Sequence, residues 1–402
     1  MADIISEYED RLPPKVLEEV RNNLHKGISE AKLKKIMDAI CEEYKNAKVH
    51  PGEAVGLISA ESIGEPGTQM CVAYDEKIIM KSKDKIRIVK IGEFVDKMFE
   101  NAETRIRNYY EMCNVPGELL VLSIDDKEKI TWSQVIALNR VNAPKKLIEI
   151  RTKSGRRLTA TDYHSFVTRK HNKVVSVAGK DLSCGDRIPV MKYLPEHCSV
   201  SIAVNEYVNN AALHGGRLIR PNTRTKSIPN NIKLDEPFGW FIGAFLAEGS
   251  SNGSSVSISN VNEKYILNAR RFIRSIGLDY KEYWSSRGFA LGRDFIVSSS
   301  LFAKFIISVC NRGSANKKVP DFAYNAKEEF VKGLLRGYFD GDGNINVERR
   351  IIRASSNSKE LINGIALLLN RFKIFSRILR DKKGQYWLQI PYNYSSLFFE
   401  KI

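Results

Sequence analysis

Two acids in this chain, Glu248 and Asp342, stand in matching settings, and together they suit the handling of a hard cation. Each follows directly on a stripe of small residues spaced four apart: Gly239, Gly243 and Ala247 before Glu248, and Gly333, Gly337 and Gly341 before Asp342. Four residues is about one helical turn, so each stripe is a smooth face on which another backbone can lie closely. If two such helices pack side by side and parallel, their carboxylates meet at the C-terminal ends. Those ends carry partial negative charge, so the acids repel one another unless a cation neutralises them. Oxygen-only ligands of this kind suit Mg2+, which can activate water and stabilise the leaving oxygen in phosphodiester cleavage. Plain helix packing accounts for either copy alone, whereas two aligned copies favour a metal-dependent nuclease.

The elements that must position these acids form a repeat. FGWFIGAFLAEG (238–249) resembles VKGLLRGYFDGDG (331–343), SNVNEKYILNARRFIRSIGL (259–278) matches SSNSKELINGIALLLNRFKI (355–374), and SSLF recurs at 299–302 and 395–398. The last two offsets are 96 residues, against 94 between the acids. Gly249 and Gly343 follow the acids, and glycine's tolerance of left-handed geometry suits a helix C-terminus. A pseudo-twofold protein is implied. Such symmetry fits duplex DNA, with each half presenting a β-ribbon to one half-site in the major groove.

The charge supports such a partner. The 402-residue chain carries a formal +16, but through Met70 it has 9 Lys+Arg against 13 Asp+Glu, leaving +20 on the remainder. A basic body of this size is drawn to polyanions, although solubility alone would also account for it. With 43% hydrophobic and 27% charged residues, two or three globular domains are expected. No apolar run nears the roughly 18 residues of a membrane helix and the N-terminus lacks signal-peptide features, so a soluble cytoplasmic protein without a membrane partner is expected. The six cysteines show neither CxxC pairs nor a disulfide spacing, which favours reduced thiols.

Along the chain, residues 4–47 read as helical, broken at Pro13 and Pro14. A glycine-rich stretch, PGEAVGLISAESIGEPGTQM (51–70), follows. From Cys71 the texture turns to short β-branched runs such as KIIMKS, KIRIVKIG and LIEIRT, which argues an all-β module. Residues from about 193 to 237 show little periodicity and read as a connector or a DNA-contacting arm.

Over roughly 233–402 the repeat resembles the LAGLIDADG homing endonucleases. The resemblance implies that Glu248 and Asp342 hold catalytic divalent ions between two scissile phosphates. NKKVP (316–320) is similar to that family's intervening block, whose lysine activates water or steadies the transition state; Lys317 is the better match and Lys318 the second. Leu246 stands where the second copy has Asp340, a site the resemblance makes structural.

Upstream, CVAYDEKIIM resembles the first block of an intein, LTATDYHSF the second, and LSCGDRIPV (182–190) the end of an N-terminal splicing half. The resemblance implies a horseshoe-like all-β Hint fold over 71–195. Cys71 would attack the carbonyl of Met70 to give a thioester, with Thr161 orienting the scissile amide and His164 straining it and protonating its nitrogen. Each match is weak by itself, and their order and spacing make the set. PGEAVGLISAESIGEPGTQM in turn is similar to the stretch leading into the trigger loop of the largest subunit of archaeal multisubunit RNA polymerases, with Ala60-Glu61 where that family has Ala-Gln. There the residue matching Gln69 contacts the incoming nucleotide.

The expected organisation is therefore α+β and multidomain. It comprises a helical polymerase segment (1–70), a Hint splicing half (71–195), a connector or arm (196–232) and a pseudo-twofold endonuclease (233–402). The expected partners are double-stranded DNA of the uninterrupted polymerase gene and, after splicing, other RNA polymerase subunits. An intein should close with His-Asn before Cys, Ser or Thr, and the chain ends SSLFFEKI, so a fragment that neither splices nor polymerises RNA alone is expected. A degenerate intein whose endonuclease domain only binds DNA is the alternative.

Overall fold

A computed structural model describes residues 2–24, 28–48, 71–83, 85–100, 104–107, 110–115, 117–125, 127–195, 199–221, 226–287 and 290–402. The glycine-rich stretch, Gln69, Met70 and Cys198 lie outside the described residues. The chain is α+β and divides into two compact units, Met1–Gly67 and Thr68–Ile402.

In the first unit, helices Ala2–Ser6, Pro14–Asn23 and Glu30–Asn46 bury Ile4, Ile5, Tyr8, Leu12, Leu17, Leu33 and Met37 together. Proline's fixed φ and missing N–H place Pro14 at a helix start rather than inside one. Tyr8 donates from its hydroxyl to Asp38 Oδ1 at 2.8 Å, tying the first segment to the third helix.

The second unit opens with antiparallel strands. Lys85–Lys90, Lys77–Ser82, Leu119–Ile124 and Ile130–Gln134 form one sheet in that order, followed by hairpins Ile148–Arg151/Arg157–Ala160 and Ser165–Lys170/Lys173–Ala178. The β-rich texture is present, with one helix, Ile91–Phe99, that the sequence reading did not mark. Ile91, Phe94, Val95 and Phe99 recur at helical spacing there and pack with Cys113 and Leu138. Short strands between residues 201 and 233 follow, and Ile202, Val204, Leu218, Ile228 and Ile232 are buried in the main core. That stretch therefore packs, despite its lack of periodicity.

Beyond residue 235 the same order of elements occurs twice. The first copy runs helix Glu236–Glu248, strands Gly249–Ser251 and Val256–Ser259, helix Glu263–Ser275, strands Lys281–Arg287 and Ala290–Val297, and helix Ser300–Cys310. The second runs Glu328–Asp342, Gly343–Asn346, Ile351–Ser356, Lys359–Arg371, Arg377–Arg380, Tyr386–Ile390 and Tyr392–Lys401. Both sheets have the first, second, fourth and third strands of the copy as neighbours in that order. The N-caps also recur: Asn262 accepts from Lys264 N and Tyr265 N, and Ser358 from Leu361 N, satisfying first-turn donors.

Among the described residues no helix is long and apolar enough to cross a membrane. Cys41, Cys71, Cys113, Cys184 and Cys310 are free thiols.

Candidate functional site

The helices Glu236–Glu248 and Glu328–Asp342 meet backbone to backbone. A Cβ added at Gly243 would lie 2.0 Å from Leu334 O, and one at Gly337 2.2 Å from Trp240 O. Gly239 faces Phe330 as Gly243 faces Leu334, so both chains advance in the same direction and the helices are parallel. Only residues without a side chain allow this approach, and the small-residue spacing had pointed to it. Asp235 caps the first helix, its Oδ1 accepting from Phe238 N at 3.1 Å; Glu328 and Glu329 complement the start of the second.

Parallel packing brings Glu248 and Asp342 to one end. A Cβ at Gly341 would sit 2.6 Å from Ala247 Cβ and 3.2 Å from Glu248 Cγ, so the last turns touch. Gly249 and Gly343 differ from the expected left-handed cap. Their φ values are −85° and −80° with extended ψ, and each begins a strand directly. Glycine is required there by crowding, since an added Cβ would lie 2.3 Å from Phe245 Cδ2 at Gly249 and 2.1 Å from Phe339 O at Gly343.

Burial pushes the Asp342 carboxyl up to about 6, with the Glu248 charge adding to the rise and Lys317 opposing it. Glu248 is also raised by burial, again opposed by Lys317. Both acids are thus costly to ionise without a neighbouring cation, which suits a divalent ion. Among the described residues no three His, Cys, Asp or Glu side chains gather as a closed metal cage. The donor set is the open type, two carboxylates with room for water and substrate phosphate, that Mg2+ uses.

Lys317 is buried beside this pair, and its Nζ donates to the carbonyls of Phe245, Leu246 and Ala247 at 2.8, 3.0 and 3.4 Å. Phe245 O also accepts from Gly249 N, while the lysine supplies a donor to the last-turn carbonyls of Leu246 and Ala247, so it caps a negative helix end. Burial draws its pKa down to about 8, with Asp342 pulling it upward. Lys318 instead turns toward Asp321, 3.9 Å away. Replacing Lys317 by Met keeps the stem but leaves these carbonyls short of a donor. A loss of about 1–3 kcal/mol is expected in urea unfolding, and an unchanged midpoint would remove the capping role.

Glu248, Ser250, Arg312, Ser314, Asn316 and Lys317 line a cleft of about 680 Å³. Two neighbours were not picked out from the sequence. Arg312 lies on the loop ahead of NKKVP, and Tyr265 is buried with its hydroxyl donating to Gly337 O at 3.2 Å. The signal for Tyr265 is a break in the repeat, where Leu361 stands in the second copy. Asp340 accepts from Trp240 Nε1 at 3.4 Å, while its counterpart Leu246 is buried.

A separate cluster surrounds Cys71. Its N–H donates to Thr161 Oγ1 at 3.2 Å, Thr161 Oγ1 donates to Cys71 O at 3.3 Å, and Thr161 N donates to the same carbonyl at 2.9 Å. His164 is on the same turn, its N–H donating to Thr161 O at 3.1 Å and its ring meeting Phe166 edge-on at 5.0 Å. Burial raises the Cys71 thiol pKa. The structure therefore brings together Cys71 and Thr161, with His164 on the turn that follows, as a group distinct from Glu248, Asp342 and Lys317.

Residues 329–402 match a LAGLIDADG-like domain, and residues 15–75 match RNA polymerase Rpb1, domain 5. The DNA-directed RNA polymerase subunit Rpo1C of Methanocaldococcus jannaschii is 48% identical over 361 residues, covering 89% of this chain and 42% of that protein. Transcription initiation factor IIB of the same organism is 25% identical over 314 residues, covering 77% of this chain and 39% of that protein. The solved transcription factor IIB Mvu mini-intein shares 30% identity, covering 32% of this chain and 72% of its own, with a TM-score of 0.30. The chain thus spans about two fifths of the length of these two curated relatives.

Paired parallel glycine helices ending in acids, followed by matching four-stranded sheets, accompany the match of residues 329–402 to a LAGLIDADG-like domain. With its polymerase match at the N-terminal side, the chain is similar to an RNA polymerase subunit and carries a LAGLIDADG-like domain at its C-terminal side.

Proposed function

We propose that residues 233–402 form a divalent-cation-dependent DNA endonuclease that makes double-strand breaks in the polymerase gene lacking the insertion. The observation that carries this reading is the convergence of Glu248 and Asp342 at the ends of two parallel helices, with Lys317 beside them. Glu248 and Asp342 would hold Mg2+, which when bound supplies an activated water and a counter-charge to the leaving oxygen. Lys317 supplies positive charge next to the carboxylates, and the basic surface draws the duplex. In the cut, water's oxygen bonds to phosphorus, one P–O bond breaks, and a phosphate and a hydroxyl end result. Incubating the full chain with the uninterrupted gene and Mg2+ tests this. Binding without cutting at any divalent ion would leave a DNA-binding remnant instead.

We further infer that residues 71–195 are the N-terminal half of a splicing module. Cys71 Sγ would attack the Met70 carbonyl, the C–N bond would break, and the acyl group would pass to sulfur while the Cys71 nitrogen takes up a proton. The Cys71 N–H bond to Thr161 Oγ1 supports that role for Thr161, because it acts on the scissile amide itself. His164 would protonate that nitrogen. Thiol reagents are expected to release residues 1–70, with release abolished in Cys71→Ala and slowed at least about tenfold in His164→Ala. Release that persists in Cys71→Ala, followed by mass spectrometry, would overturn this assignment. After splicing, the helical segment would join other RNA polymerase subunits, where Gln69 would contact the incoming nucleotide.

A further inference from the structure

The splice-site hairpin reaches across to the second half of the endonuclease repeat. Its turn, residues 152–156, is held internally: Thr152 N donates to Arg156 O at 2.8 Å, and Gly155 N to Thr152 O at 2.9 Å. Strand Arg377–Arg380 is an edge of the second sheet, with backbone groups otherwise open to water. Ile378 N on this edge donates to Ser154 O at 2.9 Å. Arg156 Nη1 donates to Ser376 O at 3.0 Å, and its guanidinium lies over the Phe375 ring at 4.6 Å. Gly155 has φ +83°, and a Cβ there would fall 1.7 Å from Ile378 O. Nearby, Lys77 pairs with Glu360 at 2.7 Å, a third tie between the same two parts.

The other end of this hairpin is the splice site. Strand Arg157–Ala160 begins directly after Arg156, and Ala160 bridges Val72 antiparallel. Ala73 N donates to Thr159 O at 2.9 Å, and Thr161 follows with its bonds to Cys71. Thr161 on the scissile amide therefore follows the last residue of the docked turn by five positions, about 16 Å of extended chain. A strand this short and stiff passes a shift at its turn directly to Thr161.

We propose that docking of the 152–156 turn on the edge strand Arg377–Arg380 holds the splice junction in register, making Gly155 and Arg156 positioning residues for acyl transfer at Cys71. The inference rests on the splicing reading above. It makes the endonuclease repeat a structural part of the splicing site, so loss of the repeat slows the first step through the hairpin.

The test uses the full chain with two readouts: release of residues 1–70 by dithiothreitol, and amide hydrogen exchange at Ala73 and Thr161. Arg156→Met and Gly155→Val should each slow release about tenfold and speed exchange at both amides, with exchange at Val177 on the neighbouring hairpin and DNA cutting unchanged. Arg156→Lys, which keeps a donor for Ser376 O, should recover part of the rate. Unchanged release and unchanged exchange in both variants would overturn the proposal. A wild-type chain that releases nothing refutes the splicing reading alone, and exchange then decides the docking: faster exchange at Ala73 and Thr161 upholds it, and unchanged exchange overturns it.

Discussion

Asp342→Asn is expected to lower cutting of the uninterrupted gene by about a hundredfold to a thousandfold, while DNA affinity stays within a few-fold. On the proposed reading the carboxylate would act on the reacting phosphates through a cation, whereas affinity would be spread over a large basic surface. Glu248→Gln should act in the same direction. The variant also separates the site's function from its stability. Asp342 is pushed up to about 6 from an ordinary value of 3.8, so the folded chain favours its protonated form. Its contribution is fully present below pH 3.8 and is lost as the pH rises through about 6. In EDTA at pH 7, Asp342→Asn should therefore be more stable than the parent by roughly 2–3 kcal/mol, a gain that shrinks as the pH falls toward 4. Adding Mg2+ should raise the parent's unfolding midpoint and leave the variant's in place. A variant that cuts normally, or that gains nothing in EDTA, would show that the carboxylate is an ordinary surface acid.

The largest effect on stability is expected at Gly243→Val. Its side chain would have to enter space held by Leu334 O at 2.0 Å and Tyr338 N at 2.7 Å, backbone atoms of a helix that cannot swing aside. The helices must separate, opening a core that contains Phe241, Phe245, Leu335 and Tyr338. A loss of at least about 3 kcal/mol in urea unfolding is expected, with cutting lost as well because the two carboxylates no longer meet. Gly253→Ala is the control: with φ +88° and nothing within 4 Å of an added Cβ, it carries only backbone strain of about 1 kcal/mol. Equal losses at both positions would mean that the glycine stripe is not a close-packed seam.

Much of this centre was legible because its geometry is periodic. Small residues four apart form a stripe along one face of a helix, and two copies with acids at the same end admit few arrangements. The order of Cys71, Thr161 and His164 pointed to a cluster only through the resemblance to intein blocks, and the antiparallel bridge of Val72 with Ala160 is what brings the threonine to the cysteine. Less was legible where the determinant is a contact distant in sequence. The resemblance gives Lys317 the role of activating water or steadying the transition state, but its three bonds to the end of the first helix depend on a loop crossing that no local pattern records. Gly249 and Gly343 were assigned a left-handed cap because glycine signals both turning and crowding, and here it is crowding by Phe245 and Phe339. The strands between 201 and 233 were missed because two- and three-residue pairings have no period to detect. The docking of Arg156 on Ser376 spans 220 residues and is visible only in the fold.

The most direct test of the account is a single cutting assay. The full chain is mixed with a duplex in which the polymerase coding sequence runs through the insertion point without interruption, and double-strand breaks are counted with Mg2+ and with EDTA. Breaks confined to that point, present with Mg2+ and absent with EDTA, are the predicted result. Breaks that persist in EDTA, or a chain that binds the duplex but leaves it intact with every divalent ion, would contradict it.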